Sequence, residues 1–280
     1  LSGGKFDGII VRSMTKLDKE ALNAAENLKV IGRAGTGYDN IDIYAATKKG
    51  IIVFNTPNSN TISAVEHTLG MLLALSRNIP QANQSTIKGN WERKKFKGVE
   101  LYNKVLGIIG LGKIGSQVAR RAQAFDMKVL AYDEYVSSKQ AEKINVELVS
   151  LDQLLKRADF ITLHTPLTDE TFHLLGPQEF EKMKANAILI NAARGPIVDE
   201  DDLAEALINN QIRGAAIDTF ENEPYVNKKL VDLKEFVVLT PHIGSASEET
   251  RLKMSRMAVK NMIKGLSEEK PPNIVNPMVL

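Results

Sequence analysis

Four histidines are the candidate proton carriers of this sequence, since imidazole is the side chain that exchanges a proton near neutral pH. His164 and His242 each follow an apolar run that predicts a strand, and ligands of open α/β sheets bind beyond the carboxyl ends of strands. The glycine-containing segment 241–245 favours His242, although His164 stays open. His67 lies in an apolar helical pattern, which predicts a packed or interface residue, and His173 lies in a polar stretch, which predicts a solvated side chain.

Arg194 and two glutamates supply the charges that would accompany such an imidazole. Arg194 follows a further predicted strand, and its guanidinium can hold a carboxylate through two parallel hydrogen bonds, which a lysine cannot do. Glu221 and Glu223 lie in one acidic segment, and either carboxylate could orient an imidazole; the sequence does not choose between them. Together these residues predict a base for a hydroxyl proton and a cation for a carboxylate.

A glycine-rich turn predicts a second function, the binding of a dinucleotide. The apolar run at 105–109 predicts a buried strand, and a helical pattern follows to about Phe125. Between them Gly110 permits a tight turn, Gly112 lets the backbone approach a pyrophosphate, and Gly115 allows the helix to pack closely on the strand. The first N–H groups of the helix then face the phosphates.

Asp133 ends the next predicted strand, where a carboxylate would accept hydrogen bonds from the adenosine ribose. Glu134 follows it directly. A 2′-phosphate at about 4 Å from one such carboxylate would cost roughly 4 kcal/mol at an effective dielectric constant near 20. The sequence therefore predicts NAD rather than NADP as the cofactor.

The elements that must position these residues alternate along the chain. Apolar runs alternate with segments of helical periodicity, which predicts βαβ units and a parallel sheet with helices on both faces. The predicted strands lie at 9–11, 29–31, 51–54, 105–109, 129–131, 160–163, 188–190, 215–217 and 237–239. The fold class is therefore α/β, with a doubly wound parallel sheet.

Two long helical patterns suggest where domains join. The pattern at 63–77 is apolar on nearly all sides, and the pattern at 247–266 is amphipathic. If these are hinge helices, residues 57–253 form an NAD-binding domain, and residues 1–56 and 254–280 form a substrate domain.

The composition argues against several other classes of protein. Lys and Arg number 36 against 34 acidic residues, and a net charge of +2 with both signs scattered argues against a nucleic-acid-binding surface. The absence of cysteine excludes disulfides, thiolate metal sites and a cysteine nucleophile, and no metal site is predicted. The sequence opens without a signal-like segment, and no apolar run approaches the roughly 18 residues of a membrane span, so we expect a cytoplasmic protein that does not engage membranes.

Several motifs in one order make the sequence similar to a known family. They are GRAGTG at 32–37, WERKKF at 91–96, the glycine turn at 110–115, HTP at 164–166, NAARG at 191–195, DTFENEP at 218–224 and PHIGS at 241–245. The chain resembles the D-isomer-specific 2-hydroxy-acid dehydrogenases over nearly its whole length. The resemblance implies hydride transfer between NAD and a small 2-hydroxy acid.

The resemblance also implies an architecture. The family inserts its Rossmann cofactor domain into a smaller, discontinuous, flavodoxin-like substrate domain, and it forms homodimers or tetramers through the cofactor domains. The family's substrate domain begins with a further strand and helix before the segment that opens this sequence. The basic stretch after Trp91 resembles one that reaches a neighbouring subunit's site.

Residue roles follow from the same resemblance, and they settle both open choices. It implies that His242 is the acid/base, that Glu223 is its partner, and that Arg194 binds the substrate carboxylate and polarises the 2-oxo group. Asp218 would contact the nicotinamide amide. The implied cofactor contacts are Thr36, Gly110, Gly112, Lys113, Ile114, Gly115, Asp133, Thr165, Ala192, Ala193, Asp218, Gly244 and Ser245.

The arginines near the start of the sequence indicate the class of substrate. Arg12 and Arg33 match phosphate and carboxylate contacts in the branch of the family that acts on a phosphorylated acid, and Gly35 and Gly37 match substrate-binding positions beside them. Several arginines around a small substrate suit a second anionic group. The alternatives are a plain 2-hydroxy-acid dehydrogenase, acting on glyoxylate or hydroxypyruvate, and an NAD(H)-sensing scaffold of the corepressor type.

Overall fold

The structure is a computed structural model that describes residues 1–267 and 269–280. In chain order its strands and helices are β1 (Gly8–Val11), α1 (Lys19–Asn23), β2 (Val30–Arg33), α2 (Ile43–Lys48), β3 (Ile52–Phe54), α3 (Thr61–Ser76), α4 (Ile79–Ile87), β4 (Val105–Ile109), α5 (Lys113–Gln123), β5 (Lys128–Tyr132), α6 (Ser138–Glu142), β6 (Glu147–Leu148), α7 (Leu151–Arg157), β7 (Phe160–Leu163), α8 (Pro177–Lys182), β8 (Ile188–Asn191), α9 (Glu200–Ile208), β9 (Gly214–Ile217), α10 (Lys228–Asp232), β10 (Val237–Leu239) and α11 (Glu248–Leu266). Short 3₁₀ turns lie at Gly195–Ile197 and Pro277–Val279.

The chain divides into two compact units. Unit 1 comprises Leu1–Thr61 and Ser245–Leu280, and unit 2 comprises Ile62–Gly244. From the sequence, we expect the boundaries after residues 56 and 253. In the structure they coincide more closely with the start of α3 and with the loop before α11. The assignment of the units to substrate and cofactor stays a prediction.

Unit 1 is built on a three-stranded parallel sheet in the order β1-β2-β3. Because successive side chains of a strand point to opposite faces, Val30 and Ile31 enter different cores. Val30 packs with Phe54 and with Met262 of α11, whereas Ile31 belongs to the cluster that α1 and α2 cover. The carboxylates of Asp18 and Asp42 cap those two helices by accepting hydrogen bonds from backbone N–H groups of their first turns.

The segment after α11 returns to β3 within unit 1. Val275 N donates to Val53 O at 2.9 Å, and Phe54 forms an antiparallel bridge with Ile274. The side chain of Asn276 is 3% exposed; its Oδ1 accepts from Val53 N at 2.8 Å and its Nδ2 donates to Ile51 O at 2.8 Å. These bonds occupy backbone groups of β3, and of Ile51 just before it, that the pairing with β2 leaves on the outer side.

Unit 2 is built on a seven-stranded parallel sheet in the order β10-β9-β8-β7-β4-β5-β6. The chain runs outward from β4 to β6, returns to place β7 beside β4, and then runs outward the other way. The topological switch point is therefore between β4 and β7, where ligands of such sheets bind. Helices cover both faces, with Val118 of α5 in one core and Leu203 of α9 in the other.

The two edges of this sheet differ from its centre. β6 has only two residues, and Glu147 there accepts two hydrogen bonds from the Arg157 guanidinium, at 2.8 and 2.9 Å. At the other edge, Gln81 Nε2 of α4 donates to Val237 O at 3.0 Å. Hydrogen bonds made by side chains are therefore present at both edges of the sheet.

The predicted α/β fold with parallel sheets is confirmed. Each of the nine predicted runs overlaps a strand, and the two long helical patterns correspond to α3 and α11. The strand β6 was missed, because two residues ending in one leucine make no apolar run. In the part of the chain that the structure describes, no helix is both long enough and apolar enough to cross a membrane.

Candidate active site

The glycine turn lies at the switch point, at the carboxyl end of β4. Gly110 has φ +92°, and a Cβ there would approach the carbonyl carbon of His164 to 2.8 Å and Thr165 N to 2.9 Å. Both the left-handed backbone and the close approach of the β7 end therefore require glycine. A Cβ on Gly115 would overlap Gly110 O, which fits its predicted role in close packing.

The start of α5 is suited to an anion. Gly112 is the N-cap residue and makes no side-chain cap, and a Cβ built on it meets no atom within 4 Å. The first N–H groups of the helix therefore border open space; they include those of Lys113 and Ile114. The positive end of the helix dipole lies at the same place. This arrangement fits the pyrophosphate of a dinucleotide.

Asp133 ties the glycine turn to the end of β5. Its Oδ2 accepts from Leu111 N at 2.8 Å, and its Oδ1 accepts from Tyr135 N at 2.8 Å. The neighbouring Glu134 carboxylate accepts a 2.6 Å hydrogen bond from the Tyr132 hydroxyl, and this bond is the main cause that raises the pKa of Tyr132 to about 12. Two carboxylates therefore stand beside the predicted ribose position, which fits NAD.

His242 and Glu223 form a hydrogen-bonded pair. Nδ1 of His242 lies 2.9 Å from Glu223 Oε1 and 2.8 Å from Oε2. The two side chains are 39% and 38% exposed, so the imidazole remains reachable from outside. Because Glu223 occupies Nδ1, the other ring nitrogen, Nε2, is the atom that can exchange a proton with a ligand.

Several groups act on the Glu223 carboxyl. Its partial burial opposes ionisation, but the hydrogen bond and charge of His242 together with a bond from Phe220 N at 3.2 Å outweigh it, and the pKa of Glu223 lies below its usual value. The positive charge of Arg194 contributes to the same lowering. Arg194, at the end of β8, donates from NH1 to Ala193 O at 2.7 Å. The predicted cation thus acts electrostatically on the predicted acid/base pair.

Asp218 is the anchor of the loop that carries His242. It is 1% exposed, and its carboxylate accepts from Ile243 N at 2.9 Å and from Gly244 N at 2.8 Å. The Asp218 carbonyl accepts from His242 N at 2.8 Å, where His242 has φ +52°. Burial would raise the Asp218 pKa, but hydrogen bonds from His67, Thr240 and the loop lower it overall. Sequence reasoning gave Asp218 a cofactor role and missed this anchoring role.

His164 and His173, two of the other histidines, have well-defined surroundings. His164 lies at the end of β7, half-buried, with Nε2 3.1 Å from Thr162 Oγ1, and burial lowers the pKa of His164 to about 3. The His173 side chain, expected to be solvated, is 33% exposed and also contacts two carboxylates: its Nε2 lies 2.7 Å from Glu221 Oε1 and its Nδ1 lies 3.2 Å from Asp199 Oδ2. Glu221, the rejected alternative to Glu223, is therefore engaged by another histidine.

His67 is a polar residue of the site that sequence reasoning placed in a packed helix. From α3, its Nε2 lies 3.2 Å from Asp218 Oδ1 and 3.2 Å from Thr240 Oγ1. The sequence signal was a histidine in an otherwise apolar helix, but its partners lie far away along the chain. Among residues 1–267 and 269–280, no three acidic or histidine side chains cluster as a metal site requires.

Unit 1 holds most of the other predicted site residues. The Arg33 guanidinium donates from Nε to Asn40 Oδ1 at 3.0 Å and from NH1 to Ala34 O at 2.8 Å. A Cβ on Gly35 would overlap that guanidinium. Thr36 Oγ1 donates to Asn60 Oδ1 at 2.8 Å. The remaining predicted positions in unit 1 are Arg12, Gly37 and Ser245, and those in unit 2 are Thr165, Ala192 and Ala193.

A sequence model of the D-isomer specific 2-hydroxyacid dehydrogenase family, NAD binding domain, matches residues 69–244. The chain belongs to this family. The match lies within unit 2 and includes the glycine turn, Asp133, Asp218, Glu223 and His242. This confirms the predicted family and NAD as the cofactor of the matched domain.

Individual members of the family resemble the chain closely. D-3-phosphoglycerate dehydrogenase of Methanocaldococcus jannaschii is 50% identical over 271 residues, which cover 96% of this chain and 52% of that protein. The TT0316 protein of Thermus thermophilus matches with a TM-score of 0.90 and 37% identity, over 97% of this chain and 86% of that one. D-Lactate dehydrogenase of Aquifex aeolicus, solved with NAD and lactic acid, matches with a TM-score of 0.87 and 33% identity, over 98% and 87%. The chain spans about half the length of the curated relative it matches.

Proposed function

We propose that this member of the family is a dehydrogenase that interconverts 3-phospho-D-glycerate and 3-phosphohydroxypyruvate with NAD, the first step of serine biosynthesis. The observation that carries the proposal is the His242–Glu223 pair, in the same unit as the glycine turn. The relative from M. jannaschii at 50% identity bears the name D-3-phosphoglycerate dehydrogenase.

The start of α5 and Asp133 would hold the cofactor, and Asp218 would contact its nicotinamide amide. When bound, NAD supplies the hydride acceptor for oxidation and NADH the hydride donor for reduction. Further contacts would come from Thr36, Lys113, Ile114, Thr165, Ala192, Ala193, Gly244 and Ser245. Asp218 also fixes the loop that brings His242 to the substrate.

His242 acts as the acid/base. Its Nε2 takes the hydroxyl proton of the substrate as the hydride leaves C2, and it returns the proton in the reverse direction. The Glu223 carboxylate, whose pKa lies below its usual value, stabilises the imidazolium that forms. Arg194 binds the substrate carboxylate and polarises the 2-oxo group, which a guanidinium can do through two parallel bonds.

Arg12 and Arg33 are proposed to bind the phosphate, with Gly35 and Gly37 beside them. The bonds that fix the plane of the Arg33 guanidinium support this role, because an oriented cation binds an anion at a lower entropy cost. A plain 2-hydroxy acid has no second anionic group for these residues.

The experiment is the reduction of 3-phosphohydroxypyruvate by the purified chain, followed by the near-ultraviolet absorbance of reduced nicotinamide. We expect turnover with NADH, little with NADPH, and a higher kcat/KM for 3-phosphohydroxypyruvate than for hydroxypyruvate or glyoxylate. Preference for the plain acids would contradict the proposed substrate. Cofactor binding without turnover of any acid would contradict the enzymatic function and favour a scaffold.

We further propose that the protein acts in the cytoplasm as a homodimer or tetramer through its cofactor domains. Large apolar side chains stand exposed on and just after α4, among them Ile87 and Trp91. Aromatic side chains such as that of Trp91 are enriched at protein–protein interfaces.

A further inference from the structure

Asn40 lies between the two arginines proposed to bind the substrate phosphate, and its side chain bonds to both of their segments. Oδ1 accepts from Arg33 Nε at 3.0 Å. Nδ2 donates to Arg12 O at 3.1 Å and to Thr15 O at 2.7 Å. All of these groups belong to unit 1, and Asn40 is half-buried there.

The bond to Arg33 fixes the plane of a guanidinium. Nε is held by Asn40 and NH1 by Ala34 O, so at least two of the five N–H groups have set directions. Gly35 leaves the space that the guanidinium fills, because a Cβ there would overlap it. The orientation of the Arg33 charge therefore depends on Asn40.

The bonds from Nδ2 fix a turn. Thr15 N donates to Arg12 O at 3.3 Å, and Asn40 holds the carbonyl groups at both ends of that turn. The Asn40 backbone also accepts from Leu17 N at 2.8 Å, so the turn and the Asn40 loop are joined twice. The backbone that carries Arg12 is therefore held in one position relative to Arg33.

We propose that Asn40 is a positioning residue that sets the preference of the site for a phosphorylated acid. The proposal rests on the proposed function of Arg12 and Arg33. A carboxamide accepts from one cationic side chain and donates to two carbonyl groups at the same time, without adding a charge. An aspartate would keep the acceptor but lose the donors, and it would place a negative charge beside a phosphate.

The test compares kcat/KM for 3-phosphohydroxypyruvate with kcat/KM for hydroxypyruvate, both with NADH. We expect Asn40→Ala to lose about tenfold more with the phosphorylated acid than with the plain one, the range of a hydrogen bond to a charged group. Asn40→Asp, the isosteric second variant, should lose at least as much. Asn27→Ala is the matched control, because the Asn27 amide also donates to a backbone carbonyl of unit 1, that of Gly4.

A double-mutant cycle separates positioning from general stability. If Asn40 acts partly through Arg33, the effect of Asn40→Ala on the substrate ratio should be smaller in an Arg33→Ala background. Equal losses with both substrates would overturn the proposal for Asn40 while leaving the proposed function intact. A wild-type chain that does not prefer the phosphorylated acid would overturn the proposed function, and the role of Asn40 with it.

Discussion

At the scale of single residues, the His242–Glu223 pair is the feature from which the proposed chemistry follows. The carboxylate occupies Nδ1 of the ring and leaves Nε2 as the proton-exchanging atom. The pair also illustrates how backbone and side chain cooperate, since the Asp218 carboxylate accepts from the two N–H groups that follow His242.

Replacing His242 by asparagine should remove the acid/base without removing the cofactor site. We expect kcat to fall by about 10²- to 10⁴-fold, the contribution of a positioned acid/base. NADH affinity, measured by fluorescence titration, should stay within about twofold because asparagine also tolerates the left-handed backbone at this position. Wild-type turnover by the variant would rule out the assigned role of His242.

The environment of His164 predicts a dependence of stability on pH. Its pKa is about 3 in the folded chain against 6.5 for the free side chain, so only the unfolded chain binds a proton between these values. This contribution to the free energy of unfolding is complete above pH 6.5 and is lost as the pH falls toward 3, at no more than about 1.4 kcal/mol per pH unit.

His164→Gln should remove that pH dependence, because glutamine does not titrate. Urea unfolding of wild type and variant at several values between pH 7 and pH 4 measures it. A curve with the same slope in both proteins would show that His164 does not cause the loss.

The residues found from the sequence and those that were missed differ in a physical way. Asp133 and the glycines could be predicted because they hold fixed positions in one strand–turn–helix–strand pattern that can be recognised in the sequence. His67 and Asn40 were not predicted, because each acts through partners that only the folded chain brings near: Asp218 for His67, and Arg12 for Asn40. A polar side chain whose partners are distant in sequence leaves no local pattern.

At the scale of elements, the strand β3 shows how a side chain can complete a sheet. The Asn276 amide bonds to Val53 N and Ile51 O, as a neighbouring strand would. Both backbone groups are thereby satisfied in a buried position. The apolar run at 51–54 predicted the strand, but nothing in the sequence predicted that one asparagine near the end would cover it.

Asn276→Leu should therefore destabilise unit 1 more than an exposed substitution of the same kind. Leucine leaves two buried backbone groups without their partner, at about 1–3 kcal/mol each when no water replaces it. Chemical denaturation followed by circular dichroism gives the change, with Asn23→Leu, on the exposed end of α1, as the control. Equal effects of the two substitutions would contradict the role of Asn276.

At the scale of the whole molecule, exposed apolar side chains predict an association surface. Ile87 and Trp91 are 76% and 81% exposed. Ile87→Lys combined with Trp91→Ser should turn a dimer into a monomer, because a buried charge without a partner opposes association. Light scattering coupled to size-exclusion chromatography measures the mass; a wild-type monomer, or an unchanged mass in the variant, would contradict the surface. Lys88→Ser, on the same stretch, is the control.

The family and the alternation of strands and helices could be predicted for the whole chain, because motif order and apolar periodicity are properties of the sequence. The strand order could not, since the pairing of β7 with β4 rather than with β6 depends on contacts between distant segments. That pairing creates the switch point where the glycine turn lies.

The two edges of the seven-stranded sheet affect how copies of the protein associate at high concentration. Unpaired strand edges recruit strands from other chains, and natural sheets avoid this with very short edge strands or charged side chains. At one edge of this sheet, the strand β6 has only two residues, and Arg157 donates to the carboxylate of Glu147 there. At the other edge, the Gln81 amide donates to Val237 O, a carbonyl group that an incoming strand would need as an acceptor. We therefore expect copies of this protein to associate through helices rather than by extending the sheet. Association through helices does not lead to fibrous aggregation.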